Sequence, residues 1–473
     1  MKNRWFIIAI TLLSAVTVTF IDARPATATP SPQGTVPGDV YLPLVFKGPC
    51  TVEARPRSKS VFGVQMYGDT GLDSLYFQEM MDSQTSWVRD EVAWSSVEPQ
   101  NLSPAEYHWN KVDQALSAAV EGGINMIGTI NYNPGWAAES PTGPINAENL
   151  DDFAEFVGAL VERYDGDGVN DDPCGRVVKY WEFYNEPDGH DNRWGYDGDK
   201  YAQMLAVAYP AMKAADPETQ IVFGGIAYDW FDDQGGPFIH RFLTDVLDAG
   251  GGAYFDIMNF HVYPAFAPNW TTTGPGLYEK AEVIRQVLAG YGLDKPMMIT
   301  ESGAHSNNDP GSPSTPQIQA SYVVELFTQA RAANIEAMIW FALYDPPEWY
   351  PHKNGLVTAE TPPQRKLAFS TFQLAVDQIA DAEFKRVLSA GEMGDSDMQA
   401  YLFTKSGSNT SLYVAWMAPV KTDRAATLAV PGSQATVYDI YSNAHTVRDG
   451  DDGANDGRIS VRISREPVFI EVN

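Results

Sequence analysis

The feature that most constrains the fold of this chain is a repeated alternation of β-rich runs with longer helical patterns. Eight runs rich in Val, Ile, Phe, Tyr and Trp recur between residues 59 and 382. Several intervening segments place apolar residues at helical spacing and end in Gly or Asn, as helices commonly do. The runs are VFGVQM (around 62–66), SWVRDEV (86–92), INMIGTI (124–130), VVKYWEFYN (177–185), QIVFGGIA (220–227), FDIMNFHVY (255–263), PMMITES (296–302) and AMIWFAL (337–343).

Eight strand–helix units in roughly 320 residues are what a (β/α)8 barrel needs, so the sequence predicts an α/β fold with a TIM barrel over residues 59–382. A doubly wound open sheet is the alternative, but no Gly-rich phosphate-binding turn follows the first run. From residue 383 the pattern changes to short strands joined by turn residues. This change predicts a C-terminal all-β sandwich domain over residues 383–473.

The N-terminus predicts export. Residues 1–28 begin with Lys2 and Arg4, continue with an apolar run and end in small residues, which is typical of a signal peptide. An uncleaved membrane anchor is the alternative, although the run is short and interrupted by Thr and Ser. A Pro/Ser/Thr-rich linker is expected over residues 29–58. We therefore expect a secreted protein, with cell-surface association left open.

The net charge limits the classes of partner that the protein can bind, and the cysteine count indicates whether a disulfide forms. The chain has 32 basic and 61 acidic residues, a net charge of −29, which argues against nucleic acid or an anionic membrane surface as a partner. In an exported chain, an even cysteine count indicates a disulfide, here Cys50 with Cys174. Both would lie at the N-terminal face of the barrel. Two unpaired thiols are the alternative.

Two glutamates end runs that would be parallel strands. Glu186 follows the fourth run, between Asn185 and Pro187, and Glu301 ends the seventh. Catalytic residues of such barrels lie at the C-terminal strand ends, so both carboxylates would face one pocket. A pair of this kind can cleave a glycosidic bond if the two pKa values differ. Arg89, from the second run, would keep Glu301 ionised, and that charge would raise the pKa of Glu186.

The motifs WEFYNEPDG, MMITESG and WVRDEVAWSSVEP resemble those of clan A glycoside hydrolases, most closely family 39, with the cellulases of family 5 as the next candidate. The resemblance covers about residues 60–473. It implies a retaining enzyme in which Glu186 is the acid/base, Glu301 is the nucleophile and Arg89 supports the nucleophile.

The same resemblance implies four further site residues. Asn185 would hydrogen-bond the 2-hydroxyl of the substrate. His261 and Tyr263 would orient the nucleophile or contact sugar. Trp340 would form the floor under the bound sugar.

No cofactor or catalytic metal is expected, because metal-binding motifs are absent and the seven histidines are widely spaced. The acidic loop at residues 164–175 leaves the binding of calcium open. Asp165, Asp167, Asn170 and Asp172 could supply oxygen ligands, or the loop could simply be solvated.

The sequence thus predicts a secreted retaining glycoside hydrolase that acts on a β-linked carbohydrate, with no nucleic acid partner and no membrane in the mature form. One alternative is a non-catalytic carbohydrate-binding surface protein on a retired barrel. Another is a transglycosylase of the same clan.

Overall fold

The computed structural model describes residues 60–67, 75–121, 123–263, 276–309, 312–347, 350–408, 410–418 and 422–472. The predicted signal peptide, the linker and Cys50 lie outside the described residues. Three expectations therefore stay predictions: the cleavage of the signal peptide, the pairing of Cys50 with Cys174 and the domain bounds. No helix in the described part of the chain is both long enough and apolar enough to cross a membrane.

Eight parallel strands form the first sheet. They are β1 (Phe62–Gln65), β2 (Trp87–Ala93), β3 (Asn125–Asn131), β4 (Tyr180–Phe183), β5 (Gln220–Val222), β6 (Met258–Val262), β7 (Met297–Ser302) and β8 (Ile335–Trp340). Their order in the sheet is β5-β4-β3-β2-β1-β8-β7-β6. Parallel bridges from Val222 to Ile257 and from Ile226 to Phe260 join its two edges. The predicted barrel is confirmed.

Helices follow the strands and cover the barrel. They are α1 (Phe77–Asp82), α2 (Trp94–Val97), α3 (Asn110–Glu121), α4 (Leu150–Arg163), α5 (Gly198–Ala215), α6 (Phe242–Asp248), α7 (Leu277–Gly290), α8 (Pro316–Ala332) and α9 (Leu367–Ile379). Short 3-10 helices span Ala147–Asn149, Asp232–Gln234 and Gly251–Ala253, and a two-stranded ribbon pairs Asn308–Asp309 with Ser312–Pro313. α8 shows why such a helix starts where it does: the Thr315 side chain accepts the Ile318 N–H, and Pro316 occupies the first turn.

The barrel interior is layered, because side chains alternate along each strand. Its lower layer is apolar and consists of Trp87, Ile127, Val222, Ile257, Met298, Ala337 and Ile339. Two positions further along four strands stand the buried polar residues Arg89, Thr129, Asn259 and Thr300. An apolar plug therefore lies beneath a polar layer at the C-terminal end of the barrel.

The C-terminal region is antiparallel. It contains β9 (Glu383–Val387), the short helix α10 (Ala390–Met393), β10 (Met398–Thr404), β11 (Ser411–Met417), β12 (Ala426–Pro431), β13 (Gln434–Tyr438), β14 (Ala444–Arg448), β15 (Arg458–Ile463) and β16 (Val468–Val472). Six strands form one sheet in the order β9-β10-β11-β16-β13-β14, and β12 pairs with β15. This arrangement agrees with the predicted sandwich.

The central strand β11 of the six-stranded sheet is buried on both faces. Alternate residues of β11, such as Ala415 and Met417, belong to the core shared with β12 and β15. The residues between them, such as Val414 and Trp416, belong to the same core as the barrel and its helices. Period-2 alternation thus produces two apolar faces here, which is why the strand reads as continuously hydrophobic.

Candidate active site

The polar layer of the barrel is organised around Glu182, a completely buried residue of β4. Its carboxylate accepts hydrogen bonds from the hydroxyls of Thr129 (2.8 Å) and Thr300 (2.9 Å). The Gly225 backbone N–H and the Asn259 amide also donate to it, each at 3.0 Å. A buried carboxylate is tolerated when its oxygens are satisfied in this way.

Arg89 links this buried carboxylate to the two predicted catalytic regions. Its Nε donates to Glu182 at 2.7 Å, its Nη1 to Glu301 at 2.8 Å and its Nη2 to the Asn185 side-chain oxygen at 2.9 Å. Burial acts to raise the pKa of Glu182, but the charge and hydrogen bonds of Arg89 outweigh it and lower that pKa. The predicted contact of Arg89 with Glu301 is present, and sequence reasoning missed Glu182.

Glu301 is held from both carboxylate oxygens. Arg89 binds Oε1, and the Tyr263 hydroxyl donates to Oε2 at 2.8 Å. The Glu301 side chain is 12% exposed, so it reaches the pocket while its position is fixed from below. These contacts hold the carboxylate in a defined orientation. Tyr263 therefore contacts Glu301 directly, and the two roles predicted for it, to orient the nucleophile or to contact sugar, stay predictions.

Glu186 is held by a sharp turn after β4. Its backbone has φ of 45°, and its N–H donates to the Gly225 carbonyl at 3.0 Å. The side chain meets the Arg193 guanidinium at 3.0 Å and His261 Nδ1 at 3.3 Å. Burial acts to raise the pKa of Glu186, but the His261 hydrogen bond and the Arg193 charge lower it to about 2. The sequence-based expectation of a raised pKa is therefore wrong for this arrangement, because it omitted the His261 hydrogen bond and the Arg193 charge.

His261 Nδ1 and Glu186 Oε1 are in hydrogen-bond contact. The Thr300 hydroxyl donates its hydrogen to Glu182, so its contact with His261 Nε2 (3.2 Å) needs that nitrogen to be the donor. His261 Nδ1 then either donates to ionised Glu186 or accepts from protonated Glu186. The arrangement can thus hold a proton beside Glu186 in either form.

The two predicted catalytic carboxylates face each other across His261. One oxygen of Glu186, one oxygen of Glu301 and one ring nitrogen of His261 all lie within 4.8 Å of one another. His261 Nδ1 is nearer to Glu186 than to Glu301, to which it measures 3.9 Å. Carboxyl groups about 5–5.5 Å apart are typical of retaining glycosidases, whereas inverting enzymes leave about 6.5–9.5 Å.

Aromatic side chains surround the carboxylates, but Trp340 is not among those that reach the pocket. It is completely buried, and its indole N–H donates to the Asn354 carbonyl at 3.0 Å. It therefore cannot form the floor under a sugar, and that prediction is wrong. The next residue, Phe341, is partly exposed and meets the rings of Tyr67 and Tyr263 edge to face at 5.7 and 6.2 Å. Phe341 offers the ring face that the sequence assigned to its neighbour.

A third carboxyl group, Glu91, lies beside this pair. It stands two positions beyond Arg89 on β2, so both side chains point into the barrel. Burial and the charge of Glu301 raise the pKa of Glu91 against the opposing effect of Arg89. The Tyr132 hydroxyl faces Glu91 at 3.5 Å. Glu91 is a group available to sugar hydroxyls that sequence reasoning did not single out.

Asn185 lies where it could contact a substrate. Its side-chain oxygen accepts from Arg89, and its amide nitrogen donates to no other residue in the described ranges. The predicted hydrogen bond to a sugar hydroxyl remains a prediction.

Two groups of side chains have the spacing of metal ligands. In the pocket, Glu186, His261 and Glu301 form one such group, but the cations Arg193 and Arg89 already bind the two carboxylates. In the acidic loop, the carboxylates of Asp165, Asp167 and Asp171 lie within 4.8 Å of one another.

Two of the predicted loop ligands point elsewhere. Asp172 pairs with Arg176 at 2.9 Å, and the Asn170 amide donates to Glu162 at 3.2 Å.

Comparison with known proteins places the chain in a family. The family model of the cellulases, glycosyl hydrolase family 5, matches residues 52–345. No curated protein sequence matches the chain.

Similar solved structures include a family 39 glycoside hydrolase from Bacteroides cellulosilyticus WH2. It is 20% identical with a TM-score of 0.65, and the match covers 89% of this chain and 82% of that one. A glucosidase from Croceicoccus marinus is 18% identical with a TM-score of 0.59, covering 89% and 97%. A monomeric β-xylosidase from Caulobacter crescentus CB15 is 16% identical with a TM-score of 0.58, covering 88% and 96%.

At these identities the solved structures establish the fold, and the family model establishes the kind of enzyme. The clan predicted from the sequence motifs is confirmed, and the match falls on the family that those motifs ranked second. The chain therefore belongs to the cellulase family, glycosyl hydrolase family 5, and is a glycosidase.

Proposed function

We propose that this protein is a secreted retaining glycosidase that cleaves β-linked oligo- or polysaccharides by double displacement, with Glu301 as nucleophile and Glu186 as acid/base. The observation that carries the proposal is the opposed pair itself. Glu186 and Glu301 have carboxylate oxygens within 4.8 Å of each other, and a buried arginine holds Glu301. This spacing leaves room for direct attack on a sugar carbon.

In the first step, an oxygen of Glu301 attacks the anomeric carbon while the bond to the leaving oxygen breaks. Glu186 gives its proton to that oxygen, so the leaving group departs neutral. Arg89 and Tyr263 position the Glu301 carboxylate through their hydrogen bonds. The covalent glycosyl-enzyme that results has inverted configuration at the anomeric carbon.

In the second step, water replaces the leaving group. Glu186, now ionised, takes a proton from this water, whose oxygen attacks the anomeric carbon and releases Glu301. His261, in hydrogen-bond contact with Glu186, stabilises the ionised form between the two steps. Two inversions give net retention.

The sugar is proposed from chemistry and likeness together. The pocket offers carboxylate, amide and tyrosine groups for hydroxyls, and Phe341 offers a ring for stacking. Among proteins of similar fold are a glucosidase and a β-xylosidase. We therefore place β-glucosides and β-xylosides first among the substrates. Export, action outside the cell and the absence of nucleic acid and membrane partners remain part of this proposal.

The test is nucleophile rescue. Purified protein is assayed with 4-nitrophenyl β-glycosides of glucose, xylose, mannose, galactose and arabinose, and with common plant polysaccharides. Glu301→Ala should lose about 10⁴-fold or more in kcat. Azide should restore turnover and give a glycosyl azide of inverted configuration. Glu155→Ala, an exposed change on α4, is the control and should behave as wild type.

Each alternative function predicts a different result. Binding of polysaccharide without turnover in wild type would favour the non-catalytic binding protein. Transfer of the sugar to a second sugar in preference to water would favour the transglycosylase. Unchanged activity in Glu301→Ala would overturn the site assignment. Proton NMR of the first-formed product separates retention from inversion.

A further inference from the structure

A charged contact on the proposed acid/base is not explained by the reaction. Arg193 Nη1 lies 3.0 Å from Glu186 Oε2 and 3.4 Å from the Glu186 carbonyl oxygen. Arg193 passes over Gly189, where a Cβ would come within 2.7 Å of its side chain. The neighbouring Trp194 is completely buried against Tyr184 and Tyr201, which anchors the loop. The backbone is thus fixed, while the long Arg193 side chain can change rotamer.

This contact opposes general acid catalysis. A general acid must hold a proton when the leaving group departs, and a guanidinium on its carboxylate favours the proton-free form. The other charged or titratable groups near Glu186 come from five elements: Asp188 from the same loop, His261 from β6, Lys280 from α7, Glu301 from β7 and Tyr350 from the loop after β8. Of these, only His261 also contacts the Glu186 carboxylate among the described residues.

The position of Arg193 indicates what could remove it. His261 binds Oε1 of Glu186 and also approaches Glu301, whereas Arg193 binds Oε2. Arg193 therefore contacts the Glu186 oxygen that lies away from His261 and Glu301. The leaving group departs on the side of Glu186, so Arg193 lies where a leaving group could reach it. Within the described part of the chain, Nε and Nη2 of Arg193 donate to no group, and the side chain is 16% exposed.

We propose that Arg193 binds a carboxylate on the leaving-group side of the substrate, and that this contact draws it off Glu186 so that Glu186 can take its catalytic proton. The inference rests on the proposed function and adds a substrate class: glycosides whose leaving group is anionic, such as a uronic acid unit. A planar carboxylate matches the two spare donors of a guanidinium, which bind it as a fork.

The activity test compares two leaving groups. For the sugar that the panel identifies, phenyl and 3-carboxyphenyl β-glycosides are measured with wild type, R193Q and R193K. Wild type should favour the carboxylated substrate by about tenfold or more in kcat/KM. R193Q should bring this ratio close to one. R193K keeps the charge without the fork and should retain part of the preference.

The pH dependence gives a readout that a merely structural role would not move. With the neutral phenyl glycoside, the alkaline limb of kcat/KM against pH reports the proton on Glu186. R193Q should shift this limb to higher pH. An unshifted limb together with an unchanged substrate ratio would overturn the proposal, and thermal melting establishes that R193Q is folded.

A binding measurement separates this inference from the proposed function. Calorimetry with D-glucuronate and D-glucose needs no turnover. Glucuronate should bind wild type more tightly than R193Q by about tenfold, and glucose should bind both equally. If wild type shows no glycosidase activity in any assay but still binds glucuronate more tightly than R193Q does, the proposed reaction is rejected and the carboxylate site is kept. Equal glucuronate binding by both proteins would reject the site.

Discussion

Glu182 and Glu325 are both completely buried glutamates, but their surroundings differ in every other respect. Glu182, in the barrel interior, accepts hydrogen bonds from Arg89, two threonines, an asparagine and a backbone N–H. Glu325, on α8, has no hydrogen-bond partner for either oxygen among the described residues. Glu182 thus belongs to a complete hydrogen-bond network, whereas Glu325 is a carboxylic acid within a hydrophobic contact.

The pKa values follow this difference. Arg89 keeps the pKa of Glu182 below its usual range in spite of burial. Burial alone holds the pKa of Glu325 well above its usual range. Within the described ranges, the Thr328 hydroxyl on the same helix also has no hydrogen-bond partner, and neither does the indole N–H of Trp416, which stacks on Tyr401 at 5.2 Å. The lesson is that pairing, and not depth, decides whether a buried carboxylate is charged.

Breaking the completed network should have the largest effect. Glu182→Ala leaves Arg89 buried with one of its two carboxylate partners, so the free energy of unfolding should fall by about 3–5 kcal/mol. Urea denaturation followed by tryptophan fluorescence measures it. Glu155→Ala, on the exposed side of α4, should change it by no more than about 0.5 kcal/mol. A loss below about 1 kcal/mol for Glu182→Ala would mean that the network does not stabilise the barrel.

Replacing the unpaired acid should have the opposite sign. Glu325→Met removes a polar group that has no partner in the part of the chain that the structure describes, and keeps a similar volume, so it should raise the free energy of unfolding by about 1–3 kcal/mol at pH 7. The same urea titration applies. A decrease would show that Glu325 is satisfied in solution, for example by water.

The dependence on pH should separate the two carboxylates. The raised pKa of Glu325 means that the folded protein keeps a proton which the unfolded chain loses above about pH 4.5. Its contribution is therefore fully present below that pH and decreases as the pH rises, by at most about 1.4 kcal/mol per pH unit. The free energy of unfolding of Glu325→Gln, measured relative to wild type, should therefore increase from pH 5 to pH 8. An advantage independent of pH would contradict a raised pKa.

Glu182 has the reverse sign. Its lowered pKa stabilises the folded protein at pH values above the pKa that Glu182 has in the unfolded chain. This stabilisation is lost as the pH falls. Glu182→Gln should therefore lose less stability on acidification than wild type does.

A matched pair of small changes should give the smallest effects. Thr129→Val removes a hydroxyl that donates to Glu182, and should cost about 1–2 kcal/mol. Thr328→Val removes a hydroxyl with no partner among the described residues, and should be neutral or stabilise by about 0.5 kcal/mol. Equal costs for both would remove the distinction between the two regions.

Much of the architecture could be predicted because it depends on local pattern. The eight β-rich runs place the barrel strands, and the two glutamates at strand ends needed only the rule that parallel strands end on one face. Glu182 was missed, although a charged residue within the apolar run YWEFYN was a signal that the side chain points into the barrel. Arg193 could not be found in this way, because a loop has no periodicity to say which way a side chain turns.

Trp340 and Phe341 show a finer limit. Both are aromatic and adjacent, so the sequence placed a ring at the end of β8 without saying which one faces the pocket. One residue of register decides it, since neighbouring side chains at a strand end point in different directions. Only the closed barrel fixes that register: Ala337 and Ile339 point into its interior, so Trp340 lies on the opposite side of the strand, where it donates to Asn354.

The two buried faces of strand β11 in the six-stranded sheet also bear on how the gene can change. Because residues such as Trp416 and Phe469 belong to the same core as the barrel, the C-terminal strands are not an accessory that recombination could remove or exchange. A deletion there would expose part of the core that packs around the barrel, and the enzyme would unfold as one cooperative unit. Inheritance should therefore keep the barrel and this sheet together, whatever sugar the pocket comes to accept.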